Sequence, residues 1–278
     1  MSLQIIGDPV LHSKSPVIQG AMLAALGLDL EYTPHVVRRG ELPQYLAWAR
    51  ERGVTGFNAT MPHKEDLIPL LDEVDPLAQS IGAVNTVCLR AGKWVGFNTD
   101  GAGAVAALEG AGLDPAGLTI TLLGAGGAAK AVALALSAAG AGRVFVCNRT
   151  LSRAQALCAQ DPLGRLSPAA FDVDTLTALA ETSQLLVNCT NLGMAGCDHQ
   201  FEDFSFLEAL PRDAAVFDAI YHPAETELLA RARRRGLKTL NGLPMLVNQA
   251  VLALEHFLNR PLNRKAMAAV AAAALNQT

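Results

Sequence analysis

Residues 56–64, Gly-Phe-Asn-Ala-Thr-Met-Pro-His-Lys, place Asn58, Thr60, His63 and Lys64 within one short run. An amide, a hydroxyl, an imidazole and an ammonium so close together can bind a polar ligand and exchange a proton with it. The run follows a strand-like segment and contains Pro62, whose fixed φ and missing amide proton suit a first helical turn. Lys64 is therefore expected in the first turn of a helix at the carboxyl end of a strand, where active sites of open α/β sheets collect. A helix N-terminus would also disfavour its ammonium form. Taken alone, such a lysine is an ordinary solvated surface residue. Its neighbours decide otherwise.

More polar groups fall at strand ends: Ser13, Ser15, Asn85 and Asp100, with Gln249 on a late helix. Each alone has a structural excuse, Ser15 as the N-cap ahead of Pro16, the asparagines in turns, Asp100 as a helix cap. Together they are hydroxyls and amides with one cation and one carboxylate. That set suits a small polyhydroxylated acid, with serines at a helix N-terminus holding its carboxylate and amides its ring hydroxyls.

These groups need a scaffold, and the chain has material for one. It has 278 residues, 51% hydrophobic and 17% charged, enough for one large domain or two ordinary ones with real cores. The net charge of -4 provides no field for nucleic acid or anionic lipid. Arg231, Arg233, Arg234 and Arg235 close a helical pattern and read as a solvated helix end. The apolar stretch 128–139 is too short to span a bilayer, and no basic, then apolar leader opens the chain. Cys88, Cys147, Cys158, Cys189 and Cys197 are scattered without a C-x-x-C pair, which fits free thiols in a cytoplasmic protein and no metal site.

Strand and helix patterns alternate, so the expected class is α/β, two domains with mostly parallel sheets and an active-site cleft between them. Strands are expected at 4–7, 31–35, the run into Gly56, 81–89 and 94–97, with helices at 16–26 and from 41–43. A new rhythm follows the loop at 113–117, with strands at 119–123, 143–147, 184–188, 215–218 and 238–240. Helices at 244–257 and 263–275 come after this second pattern is complete and are expected to pack back on the first. The domains are then 1–101 plus 243–278, and 102–242.

The second domain opens with Gly124, Ala125, Gly126, Gly127 and Ala128 directly after a strand. In a dinucleotide site Gly124 allows the tight turn, Gly126 the close approach of a pyrophosphate and Ala129 the packing of helix on strand, with phosphates on the helix amides. The next strand ends in Asn148, Arg149 and Thr150 with no acid to hold ribose hydroxyls, which selects NADP over NAD and makes Arg149 the ligand of the 2′-phosphate.

Taken in order, these motifs resemble the shikimate dehydrogenase family. The resemblance rests on Ser13-Lys14-Ser15-Pro16, Asn58 to Lys64, Gly82-Ala83-Val84-Asn85-Thr86, Asn98-Thr99-Asp100-Gly101, the glycine loop, Asn148-Arg149-Thr150, Asn188 to Met194, Asp218 to Tyr221 and Gly242 to Gln249. It covers nearly the whole chain. It implies reversible, NADPH-dependent reduction of 3-dehydroshikimate to shikimate in chorismate and aromatic amino acid biosynthesis. Lys64 and Asp100 would be the acid–base pair, and Ser13, Ser15, Asn58, Thr60, Asn85, Tyr221 and Gln249 would hold substrate. Thr190, Met194 and Gly242 would lie at the cofactor, in a monomer or homodimer with no nucleic-acid or membrane partner. One departure stands out: the family's usual His-Asn after the serine-proline element is Gln19-Gly20 here, a pair expected to face the helix interior. Alternatives are a relative acting on quinate or aminoshikimate, and a non-catalytic NADP sensor.

Overall fold

In a computed structural model, which describes residues 2–277, the alternating apolar runs become two six-stranded sheets. The strands are β1 (Ser2–Gly7), β2 (Glu31–Val36), β3 (Val54–Ala59), β4 (Glu73–Val74), β5 (Thr86–Arg90) and β6 (Lys93–Phe97), then β7 (Thr119–Leu123), β8 (Arg143–Asn148), β9 (Leu166–Ala170), β10 (Leu185–Asn188), β11 (Ala215–Asp218) and β12 (Lys238–Leu240). The first sheet runs β2-β1-β3-β5-β6-β4 and the second β12-β11-β10-β7-β8-β9.

The second sheet is parallel throughout, and its strand order is that of a doubly wound dinucleotide fold. Its central strands are buried along almost their whole length, as helices on both faces require, and so read as apolar runs and not as alternation. The order reverses between β7 and β10, which places the loops after Leu123 and Asn188 side by side. The first sheet is mixed. β1 is parallel to β2 and β3, but β5 runs antiparallel to both β3 and β6. The reason is local: Ala91 and Gly92 both have positive φ, 47° and 79°, so β5 and β6 close as a two-residue hairpin. Phe57 sits at the centre of this core, edge-on to Tyr45 and Trp94 at 5.2 and 5.4 Å. Truncating such a ring to alanine typically costs about 3–5 kcal/mol.

The chain separates into two compact units, one running to Gly103 and resuming at Val247, the other Ala104–Leu246. Both divisions fall inside helices, Asp100–Gly110 and Leu243–Leu258. Within the first unit the helix Arg264–Leu275 packs on the helix Ser15–Ala25. Gly103 lets the two dividing helices meet there, because a Cβ would stand 2.7 Å from that of Gln249.

Several local expectations need correction. Residues 81–89 are not one strand: the helix Pro76–Ile81 ends on Gly82 at φ 69°, and β5 begins only at Thr86. Two strands were not anticipated, the two-residue β4 and the edge strand β9, whose Pro168 cannot donate to a ladder and so resembles a loop in sequence. Ser15 is not an N-cap but the first helical residue, after Lys14. The arginines that close the helix Glu227–Arg234 pair with Glu225, Glu227 and Glu208. Among the described residues no helix is long and apolar enough to cross a membrane.

Candidate active site

The first unit gathers its polar groups at the end of β3. The segment after Ala59 does not become a helix, contrary to the sequence expectation. The Met61–Pro62 bond is cis, and a turn begins with His63 N–H on Thr60 O and Leu67 N–H on His63 O. The ladder stops at the next residue, because Lys64 O accepts the amide of Val84 at 2.7 Å and not that of residue 68. Only a short 3-10 turn, Ile68–Leu70, follows. No helix terminus stands behind Lys64, so no helix dipole acts on it.

What holds Lys64 is charge. Its Nζ donates to Asp100 Oδ2 at 2.6 Å, with the two side chains 21% and 8% exposed. Asp100 opens the helix Asp100–Gly110, where a negative charge is favoured, and Asn98 Oδ1 accepts its amide at 3.0 Å. Asn85 Nδ2 donates to Asp100 Oδ1 at 2.8 Å. The orientation of that amide is set by Asn85 Oδ1, which accepts from the Thr99 backbone N–H, a group that can only donate. Both carboxylate oxygens of Asp100 are thus engaged, one by a cation.

From Asn85 the network continues outwards. Asn58, opposite Thr86 across the β3–β5 pair, donates through Nδ2 to Asn85 O and to Thr86 Oγ1, both at 3.0 Å. Thr86 Oγ1 in turn donates to Asn85 Oδ1. Tyr32 Oη donates to Asn58 Oδ1 at 2.7 Å. Burial pushes this phenol well above its ordinary range, Tyr45 adds to that, and a hydrogen bond with the Ser15 hydroxyl pulls the other way. Tyr32 was missed in sequence. An alternating strand with one buried tyrosine is what any half-buried strand looks like, and nothing local marks the far partner.

Ser13 Oγ accepts the Ser15 amide at 3.2 Å. Thr60 lies over Gly7, where any Cβ would stand 2.4 Å from the threonine methyl. Gln249 reaches Thr99 Oγ1 at 3.4 Å. His63 is fully buried with its Nε2 on Val37 O, a packing residue and not a site residue. Gln19 is fully buried with Nε2 on Ala250 O, as expected, but Gly20 is only half-buried and a Cβ there would meet nothing within 4 Å, so the second member of the pair does not face the interior.

In the second unit Gly124 has φ 112°, and a Cβ there would meet Cys189 O at 3.1 Å, so only glycine serves. The helix Gly127–Ala138 starts from an exposed Gly126 with no side-chain cap. A Cβ at Gly126 would meet nothing within 4 Å, while Ala129 is fully buried against the sheet. Ala125 is buried and Ala128 half-buried beside this turn. Uncapped amides at an open helix start fit a phosphate. β8 ends on Asn148, whose Nδ2 bonds Thr150 O, and Arg149 between them is exposed. Guanidinium, amide and hydroxyl without a carboxylate fit a phosphorylated ribose. Thr190 follows β10, its hydroxyl on Asn188 Oδ1 at 2.7 Å, and Met194 lies further along the same loop. Gly242 follows β12, where a Cβ would stand 2.0 Å from Ala219 O. Tyr221 belongs to this unit too, half-buried on the loop after β11, with burial raising its phenol.

Three family descriptions match the chain: shikimate dehydrogenase substrate binding domain over residues 5–87, shikimate / quinate 5-dehydrogenase over 108–194, and shikimate 5′-dehydrogenase C-terminal domain over 242–271. A shikimate dehydrogenase (NADP(+)) of Symbiobacterium thermophilum is 42% identical over 278 residues, 97% of this chain and 94% of that protein. The crystal structure of shikimate dehydrogenase from Aquifex aeolicus matches with a TM-score of 0.87 at 35% identity, covering 99% of this chain and 97% of that one. That of shikimate 5-dehydrogenase from Thermus thermophilus in complex with NADP(H) and shikimate matches with a TM-score of 0.83 at 37% identity over 99% of both chains. Fold and site define a two-domain, dinucleotide-dependent oxidoreductase. The chain belongs to the shikimate dehydrogenase family.

Proposed function

We propose that this chain catalyses the reversible, NADP-dependent interconversion of 3-dehydroshikimate and shikimate, the step its relatives perform in making aromatic amino acids. The observation that carries the reading is the Lys64–Asp100 pair at 2.6 Å, tied through Asn85 to Asn58 and set among groups suited to a hydroxylated acid.

Bound NADPH supplies a hydride to the ring ketone. The residues of the chain do the rest. The Lys64–Asp100 pair gives a proton to the oxygen of the reduced carbon and takes it back in the reverse direction, with Asp100 Oδ2 orienting the Lys64 ammonium. Because the two groups share one hydrogen bond, the proton is assigned to the pair. Ser13 and Ser15 hold the substrate carboxylate, and Asn58, Thr60, Asn85, Tyr221 and Gln249 hold its hydroxyls. Gly124, Ala125, Gly126, Gly127 and Ala128 cradle the pyrophosphate, Asn148, Arg149 and Thr150 the 2′-phosphate, and Thr190, Met194 and Gly242 the nicotinamide end.

Five free thiols fit a reducing cytoplasm, and a monomer or homodimer is the working assembly. The test is absorbance at 340 nm with shikimate, quinate and aminoshikimate, each with NADP and NAD. Turnover of shikimate with NADP above all other pairs is expected. Absence of turnover with every pair would leave a binding protein, and preference for quinate would move the chain to a sister activity.

A further inference from the structure

β11 ends on Asp218, a carboxylate with 0% exposure. Its Oδ1 accepts from Asn188 Nδ2 at 3.0 Å and from Ile220 N–H at 3.1 Å, and its Oδ2 accepts from Thr226 Oγ1 at 2.6 Å. None of these partners is a cation. A buried carboxylate without a counter-charge is costly, and an apolar residue at a strand end in a doubly wound sheet would avoid that cost. Its place is explained by where its three donors lead.

Asn188 stands opposite Asp218 in the β10–β11 register. Its Oδ1 accepts both the N–H and the hydroxyl of Thr190, and its carbonyl accepts the Ala219 amide. Ile220, whose amide Asp218 holds, accepts Gly242 N–H at its carbonyl at 2.9 Å. Thr226 caps the helix Glu227–Arg234 by accepting Leu229 N–H. It also packs against Gly193, beside Met194, with its Cβ 3.6 Å from where a Gly193 Cβ would be. One carboxylate thus joins the loop that carries Thr190 and Met194 to the turn that holds Gly242.

We propose that Asp218 is a positioning residue for cofactor binding, setting the loops that receive the nicotinamide half of NADP. The proposal rests on the reading of Thr190, Met194 and Gly242 given above. The three hydrogen bonds of Asp218 go to none of Gly124 to Ala128, the turn assigned to the pyrophosphate, nor to Arg149, assigned to the 2′-phosphate of the adenosine half. Asp218→Asn keeps the shape but turns an acceptor towards Thr226 into a donor and removes the charge.

Calorimetric titration with NADP+ and with adenosine 2′,5′-bisphosphate, which lacks the nicotinamide half, tests this. In Asp218→Asn, NADP+ affinity is expected to fall by roughly tenfold or more, the worth of a hydrogen bond to a charged group. The bisphosphate should bind within about twofold of wild type. Equal losses for both ligands, or no loss for either, overturn the proposal, since a merely structural role does not separate them. If that variant does not fold, Thr226→Val and Thr226→Ser carry the test: valine should lose NADP+ affinity selectively and serine restore it, and equal affinities overturn the idea. Wild-type protein that binds NADP+ but turns over no shikimate sinks the catalytic reading and leaves the Asp218 comparison standing. Failure of the wild type to bind NADP+ overturns both.

Discussion

Lys64 Nζ and Asp100 Oδ2 meet at 2.6 Å although 36 residues separate them in the chain. The ammonium comes from an irregular turn and the carboxylate from the first residue of a helix, so neither is placed by the other's element. Lys64→Ala should lower kcat by about 10²- to 10⁴-fold, the usual worth of a positioned acid–base group. NADP+ affinity, measured by titration, should stay near wild type. An unchanged kcat would sink the assignment.

Tyr32 tests the outer end of the same network. Tyr32→Phe leaves the buried Asn58 Oδ1 without the donor that meets it at 2.7 Å, a loss of about 1–3 kcal/mol of stability. The shikimate KM should rise more than kcat falls, because Asn58 holds substrate and does not move the proton. Denaturant unfolding and initial-rate kinetics read the two effects. A KM that does not change would detach Tyr32 from the site.

Arg149 is exposed at the end of β8 with no acid in the adjoining Asn148 and Thr150. Arg149→Ala should therefore reduce the use of NADPH while leaving that of NADH nearly intact, as the 2′-phosphate loses its cation. The ratio of kcat/KM for the two cofactors is the readout, and a ratio equal to wild type would refute the role.

His256 stacks on Phe97 at 4.0 Å, and burial, then the Arg90 guanidinium, hold its imidazole below its ordinary value of 6.5. A folded value below the unfolded one means that the unfolded chain binds the extra proton more readily, so this contribution is complete above pH 6.5 and is lost as pH falls through the depressed value. The melting temperature should fall over that window, and His256→Phe should flatten the fall. Glu255, held low by Arg264, contributes only in the more acid carboxylate range, which separates the two. A wild-type melt that is level through the histidine window would refute the account.

Elements with a local cause were legible. The strands of the second sheet are apolar because both faces are covered, and Gly124 is glycine because its φ is 112°. Where a long-range partner decides, local reading failed. The helix expected after Pro62 is absent because Val84 N–H takes the carbonyl of Lys64, a bond between residues 20 apart. β9 escaped because Pro168 is tolerable only at an edge, and sequence does not say which strand is the edge.

The order of residues alone dictated which groups are present: the lysine, the carboxylate, the serines, the glycine turn and the arginine that takes the place of an acid. Those are matters of side-chain chemistry and single backbone conformations, and both are written residue by residue. Which group touches which was settled only when β3 paired with β5 and put Asn58 opposite Thr86, with Asn85 between Asn58 and Asp100. Register is a cooperative property of whole strands, and a slip of one residue would have turned Asn58 to the other face of the sheet.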